Sequence, residues 1–213
     1  DEHGLKRAEA AAAEGVPTAD LARRNSDVFE RLQERLNISF DRFIRTTDAD
    51  HIDASIDIWK RMDASGDIYL GSYTGWYSVR DEPYLSEDET RVEPDGTRVA
   101  VYSGAPVVWT EEETYFFRLS DYADKLLAYY EEHPEFIGPD VRRNEVVSFV
   151  SGGLRDLSIS RTTFDWGVPV PDHPDHVMYV WVDALTNYLT GVGFPDTDSE
   201  SFRKYWPADL HMI

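Results

Sequence analysis

Apolar positions in the first third of the chain recur at helical spacing, interrupted by the small and cyclic residues that end helices. The alanine-rich run from Leu5 to Glu14 predicts a helix closed by Gly15 and Pro17. Thr18 is placed to cap a second helical stretch and Ser26 a third, in which Val28, Leu32 and Leu36 share one face. Phe40, Phe43 and Ile44 among polar neighbours predict a short strand over 40–47. Asp50 is then placed to cap a helix carrying Ile52, Ile56, Trp59 and Met62 on one side and ending near Gly66. Helix alternating with strand points to an α/β layer.

From Ile68 to Phe117 the pattern changes. Tyr69, Tyr73, Trp76, Tyr77 and Tyr84 crowd together, and Pro94-Asp95-Gly96 is a turn signal between short β-prone runs over 98–102 and 107–110. These residues predict a small antiparallel unit that packs on itself. Ser120 is placed to cap a helix with Tyr122, Leu126, Leu127 and Tyr130 at helical spacing, stopped by Pro134. Pro139 suits the first position of another helix, running to Gly152-Gly153. In the last third, 157–160 predicts a short strand, and the continuous apolar run 177–182 predicts a buried parallel strand. Asp183 is placed to cap the helix that follows, which Gly191 closes.

Composition narrows the function classes. Lys and Arg total 21 against 41 Asp and Glu, a net charge of −20 that argues against a broad basic face for nucleic acid. The 6 Trp and 12 Tyr supply core material that a disordered acidic tail lacks. With no cysteine, disulfides, thiolate zinc sites and a cysteine nucleophile are excluded. No stretch approaches the roughly 18 apolar residues that a spanning helix needs. The expectation is an intracellular globular protein. Its opening without Met and its apolar close, Leu210-His211-Met212-Ile213, suggest a piece of a longer chain whose final strand has just begun.

Four groups of residues carry candidate chemistry. Asp1, Glu2 and His3 precede Gly4 and the first helix, where acids complement a helix dipole. If a strand precedes them, they lie where open α/β sheets bind ligands, and Asp1 would hold a substrate ammonium. Val180, Trp181, Ala184, Leu185 and Tyr188 surround a strand-to-helix corner, which serves either as an apolar pocket or as plain core. Arg161 at a strand end either pairs with surface acid or meets a phosphate or carboxylate bidentately. His173 and His176, on either side of a proline, lack helical ligand geometry and a third ligand, so a solvated loop is expected in preference to a metal site. A phosphate-binding glycine loop and a nucleophile elbow are both absent.

Several stretches, in order along the chain, resemble the methionyl-tRNA synthetase family of class I aminoacyl-tRNA synthetases. They are Asp1-Glu2-His3-Gly4, Gly75-Trp76-Tyr77, 113–120, 157–161 with Phe164-Asp165-Trp166-Gly167, Tyr179 to Tyr188 with its sharp opening run Tyr-Val-Trp-Val-Asp-Ala, and 206–211. The resemblance implies a Rossmann-type catalytic domain, with a first part over 1–67, a β-rich connective-peptide insertion over 68–142 and a second part over 143–213. It implies ATP-dependent activation of methionine, with Mg2+, followed by transfer to the 3′ end of its tRNA in the cytoplasm, and no membrane partner. By resemblance Asp1 binds the methionine ammonium, and Val180, Trp181, Ala184, Leu185 and Tyr188 form its side-chain pocket. Arg161 is the matching active-site arginine. The family's two ATP-handling signatures and its anticodon-binding helices lie outside these residues, so the 213 residues alone are expected to be inactive. Where many relatives carry zinc-binding cysteines, this insertion reads Tyr77-Ser78-Val79-Arg80 and Gly104-Ala105-Pro106-Val107, and no zinc is expected. A competing expectation, from composition alone, is a noncatalytic acidic interaction module working through the aromatic-rich insertion.

Overall fold

The computed structural model describes residues 1–81 and 83–212. Helix α1 (Leu5–Glu14) forms as the alanine run predicts. The two stretches expected next are one helix, α2 (Thr18–Leu36). Ser26 does not break it, because its hydroxyl donates to Arg23 O at 3.1 Å and accepts from Arg45 Nε at 2.9 Å. The strand expected over 40–47 is not formed. That segment is fixed through side chains instead: buried Arg45 pairs with Asp27 at 2.8 Å and Glu30 at 2.7 Å on α2. Helix α3 (Ala49–Ala64) starts after Asp48 rather than Asp50. Its Ile52, Ile56, Trp59 and Met62 enter the core as their spacing predicts.

Strands β1 (Ile68–Ser78) and β5 (Val107–Phe117) pair antiparallel along their whole length, from Ile68 opposite Phe117 to Ser78 opposite Val107. Strand β5 therefore runs well beyond the short stretch expected. β2 (Tyr84–Leu85) flanks β1 and completes one side of this sheet. β3 (Thr90–Val92) and β4 (Arg98–Ala100) form the hairpin that Pro94-Asp95-Gly96 predicts. The aromatic cluster is real: the Tyr73 and Tyr84 rings stack at 3.7 Å, and Trp76 meets Trp109 edge-on at 5.1 Å. Helix α4 (Ala123–Glu132) follows a short 3-10 turn, so Ser120 is not its cap but donates to Asp156 Oδ1 at 2.6 Å. Helix α5 (Asp140–Ser151) follows Pro139.

Strand β6 (Leu157–Ser158) joins the far edge of the large sheet beside β5. β7 (Ser160–Arg161), β8 (Pro169–Val170) and β9 (His173–Met178) make a three-stranded sheet ordered β7-β9-β8. Every strand pairing among the described residues is antiparallel, so the parallel strand expected over 177–182 is corrected. That apolar run splits at Tyr179 into the end of β9 and the start of helix α6 (Val180–Thr190). A short continuous apolar run has no period to separate strand from buried helix, and tertiary packing decides. Asp183 consequently lies inside the first turn of α6 rather than capping it. The loop expected around His173 and His176 is β9, with His176 buried and its Nδ1 3.0 Å from Ser160 Oγ. Helix α7 (Glu200–Tyr205) follows, capped by Ser199. Residues 206–212 form no strand, and Ile213 of the strand expected there lies outside the described residues.

The main core joins Trp59, Ile68, Ile159, Val168, Val170 and Met178, and so ties α3 to the sheets on which the site is built. No helix among the described residues is long and apolar enough to cross a membrane.

Candidate functional site

The segment Asp1–Gly4 is extended and held from two sides. Trp166 Nε1 donates to Glu2 O at 2.6 Å, and Gly4 N donates to Trp166 O at 3.1 Å. On the other side Glu2 N donates to Thr46 Oγ1 at 2.9 Å, and the Thr47 hydroxyl donates to the Glu2 carboxylate. Two glycines allow this. Gly4 has φ 109, a region that favours glycine, where the chain turns into α1. Gly167 lies so close to β9 that a Cβ there would sit 2.9 Å from Val177 Cβ, which lets Trp166 reach under the segment. Burial pushes the Glu2 carboxyl pKa up, but Thr47, Ser26 and Arg45 outweigh it and hold the group below its usual range.

Beside this segment runs α6. Its buried positions, Asp183, Ala184, Thr186 and Thr190, are small or polar and face α3, where His51, Ala54 and Ser55 are also buried. His51 Nδ1 lies 3.0 Å from Thr190 Oγ1, and burial pushes the His51 pKa down against the opposing pull of Asp183. His3 Nδ1 hydrogen-bonds Asp183 Oδ2 across the seam between the segment and α6.

Asp1, His3, Val180 and Trp181 share one open cleft of about 390 Å3, together with Lys6 and Arg7 of α1 and Arg80 after β1. No described residue hydrogen-bonds or pairs with the Asp1 carboxylate. Trp181 does not end a buried strand, as expected, but stands 55% exposed on the first turn of α6. Ala184 is buried beneath it, whereas Leu185 is 52% exposed, and neither lines the cleft. Tyr188 lies farther along the helix, its ring 3.8 Å from that of His211, a neighbour the sequence reading missed.

Arg161 is placed apart from that cleft. It is 2% exposed, which rules out the surface ion pair, and it pairs with no carboxylate among the described residues. Its Nη1 donates to Ser158 Oγ at 2.9 Å and Ser160 O at 2.7 Å, and its guanidinium lies 4.4 Å from the ring centroids of both Tyr84 and Tyr179. Tyr84 in turn donates to Glu112, and burial, with Glu112 adding to it, pushes the phenol pKa far up. Thr114, fully buried, ties the floor together through Ser158 Oγ at 2.7 Å and Ser160 O at 2.9 Å. Little in the pattern signalled this: aromatic crowding was visible, but not that its rings enclose a cation.

The family model described as class I tRNA synthetases (M) matches residues 1–98 and 92–213. Over 213 residues the chain is 76% identical to the methionine–tRNA ligase of Mycobacterium tuberculosis (strain ATCC 25618 / H37Rv), covering all of this chain and 41% of that protein. It is 73% identical over 214 residues to the Mycobacterium leprae (strain TN) ligase, covering 40% of it. The chain thus spans 40–41% of the length of these curated relatives. A solved structure of the M. tuberculosis methionyl-tRNA synthetase in complex with methionyl-adenylate superposes with a TM-score of 0.96 at 76% identity, over 100% of this chain and 42% of that one. The apo form of the same synthetase superposes with 0.84 at 75% identity, over 93% of this chain and 40% of that one.

Proposed function

This chain belongs to the class I tRNA synthetases of the methionine type, and from that premise we propose that it forms part of a methionine-activating catalytic domain in a longer protein. In this reading the methionine carboxylate attacks the α-phosphorus of ATP, pyrophosphate leaves, and the adenylate then passes its acyl group to the 3′ end of methionine tRNA. The observation that carries it is the unpaired Asp1 carboxylate sharing a cleft with Val180 and Trp181. Asp1 holds the ammonium, which orients the carboxylate on the same α-carbon toward the nucleotide. Trp181 and Val180 take the thioether, since sulfur against an aromatic edge is worth about 0.3–1.5 kcal/mol. The resemblance also assigns Ala184, Leu185 and Tyr188 to the methionine pocket, although none of the three lines this cleft.

Arg161 supplies a cation for charge that develops on phosphate. Mg2+ would accompany ATP as the co-substrate's counter-ion and supply charge neutralisation on its phosphates. We assign 1–67 and 143–213 to the catalytic domain and 68–142 to the insertion. We assign the protein's action to the cytoplasm, where tRNA and ATP are both available. The interaction-module alternative is not favoured, because the family match runs through the aromatic-rich stretch as well.

Methionine-dependent ATP–pyrophosphate exchange by the full-length protein tests the reading. Exchange that requires methionine and falls at least about ten-fold in kcat/KM on Asp1→Asn supports it. Exchange with another amino acid, or none at all, overturns it. The isolated 213 residues are expected to stay at background.

A further inference from the structure

We infer that the buried His3–Asp183 pair is a positioning device that sets the relation between Asp1 and Trp181 across the cleft. The inference rests on reading that cleft as the methionine site. Asp183 is 1% exposed and His3 8%, and they lie 180 positions apart in the chain. A carboxylate only accepts hydrogen bonds, so the proton between them sits on His3 Nδ1.

Each partner lies two residues from a cleft residue. His3 follows Asp1 along the extended segment, and Asp183 follows Trp181 on the first turn of α6. Two residues of helix turn through about 200°, so Trp181 faces the cleft while Asp183 points into the seam beneath. The other anchors of the segment, Trp166, Thr46 and Thr47, tie it to the loop before β8 and to the loop before α3. Among the described hydrogen bonds, only the His3–Asp183 contact ties it to α6. Asp183 Oδ1 has no hydrogen-bond partner among the described residues, so His3 carries the whole side-chain pairing of that carboxylate. The place of Asp183 in the first helical turn also suits a negative charge.

A pair that served stability alone would move folding without moving substrate recognition. A pair that sets the cleft width acts chiefly on methionine, since a displacement of about 1 Å at a reacting centre costs up to about a hundred-fold. The test uses the full-length protein in methionine-dependent pyrophosphate exchange, with His3→Ala, His3→Asn, Asp183→Asn, the His3→Ala/Asp183→Asn double variant, and Val170→Ala as a core-destabilising control. His3→Ala is expected to raise the methionine KM about ten- to a hundred-fold, with the ATP KM within about two-fold. His3→Asn, whose amide replaces the Nδ1 donor, is expected to recover most of this loss. The double variant is expected to be no worse than the worse single one, as coupled residues require. Val170→Ala lowers the melting temperature and leaves the methionine KM unchanged.

A methionine KM indifferent to His3→Asn and Asp183→Asn in folded protein overturns the inference, as does a Val170→Ala control that raises that KM equally. If His3→Ala does not fold, the other two single variants decide. Absence of exchange by the unsubstituted protein overturns the functional reading and this inference with it, whereas exchange indifferent to the pair overturns the inference alone.

Discussion

Asp183 and Arg161 are 1% and 2% exposed, yet one meets an ionisable partner and the other meets rings and hydroxyls. Burying any charge is expensive unless it is paired and hydrogen-bonded. At Asp183 the cost is offset by His3, and the pair is thereby committed to architecture. At Arg161 it is offset by the faces of Tyr84 and Tyr179 and by two oxygen acceptors, which a weakly hydrated guanidinium tolerates. No carboxylate among the described residues pairs with Arg161, so its positive charge is left for the anion that the proposed function assigns to it. A buried charge that is paired holds elements together, and a buried charge held by dipoles and π-faces stays available for chemistry.

Asp183→Ala should have the largest effect, about 3–5 kcal/mol of stability, because it strands His3 in the seam. Chemical denaturation of the full-length protein checks this, and a loss below about 1 kcal/mol would mean the pair is not the clamp described. Thr114→Val, which removes the hydroxyl hub under Arg161, is expected to cost about 1–3 kcal/mol by leaving buried acceptors poorly satisfied. Arg161→Met sharpens the contrast. It strands no opposite charge, and Thr114 still reaches both Ser158 and Ser160, so its stability cost should stay under about 1.5 kcal/mol while pyrophosphate exchange collapses. An Arg161→Met cost exceeding that of Asp183→Ala would break the comparison.

A smaller effect is expected with pH. Burial lowers the pKa of His51 below the usual histidine value of 6.5, against Asp183 and Asp50, which raise it, and with His3, which lowers it further. The unfolded chain then takes up protons that folded His51 refuses, so its contribution is complete above about pH 6.5 and declines as pH falls. His176, also lowered by burial, acts in the same direction. Melting temperature should therefore fall between about pH 6.5 and 5, and His51→Gln should flatten that slope without abolishing it. An unchanged slope would remove His51 from the account. The smallest effect is reserved for Trp181→Ala, within about 0.5 kcal/mol of stability for a residue 55% exposed. Any loss in methionine turnover in that variant then reports a ligand contact and not a weakened core.

Much of the scaffold was legible in residue pattern. The alanine run, the Ile52–Ile56–Trp59–Met62 face and the Pro94-Asp95-Gly96 turn each carry local chemistry strong enough to specify an element. The candidate residues were legible too, since Asp1, Arg161 and the run around Trp181 stand out by type and order. What the pattern could not specify was the partner of each. The run 177–182 has no period, so only packing of α6 on α3 could divide it into strand and helix. The expectation that Trp181 lies buried failed for that reason: at the start of a helix its side chain turns outward, while Asp183 and Ala184 turn in. The fate of the buried charges lay beyond the sequence altogether. Residue type says that His3 and Asp183 can pair and that Tyr84 can cover Arg161, but the contacts join positions 180 and 77 apart, and only the folded chain brings them within reach.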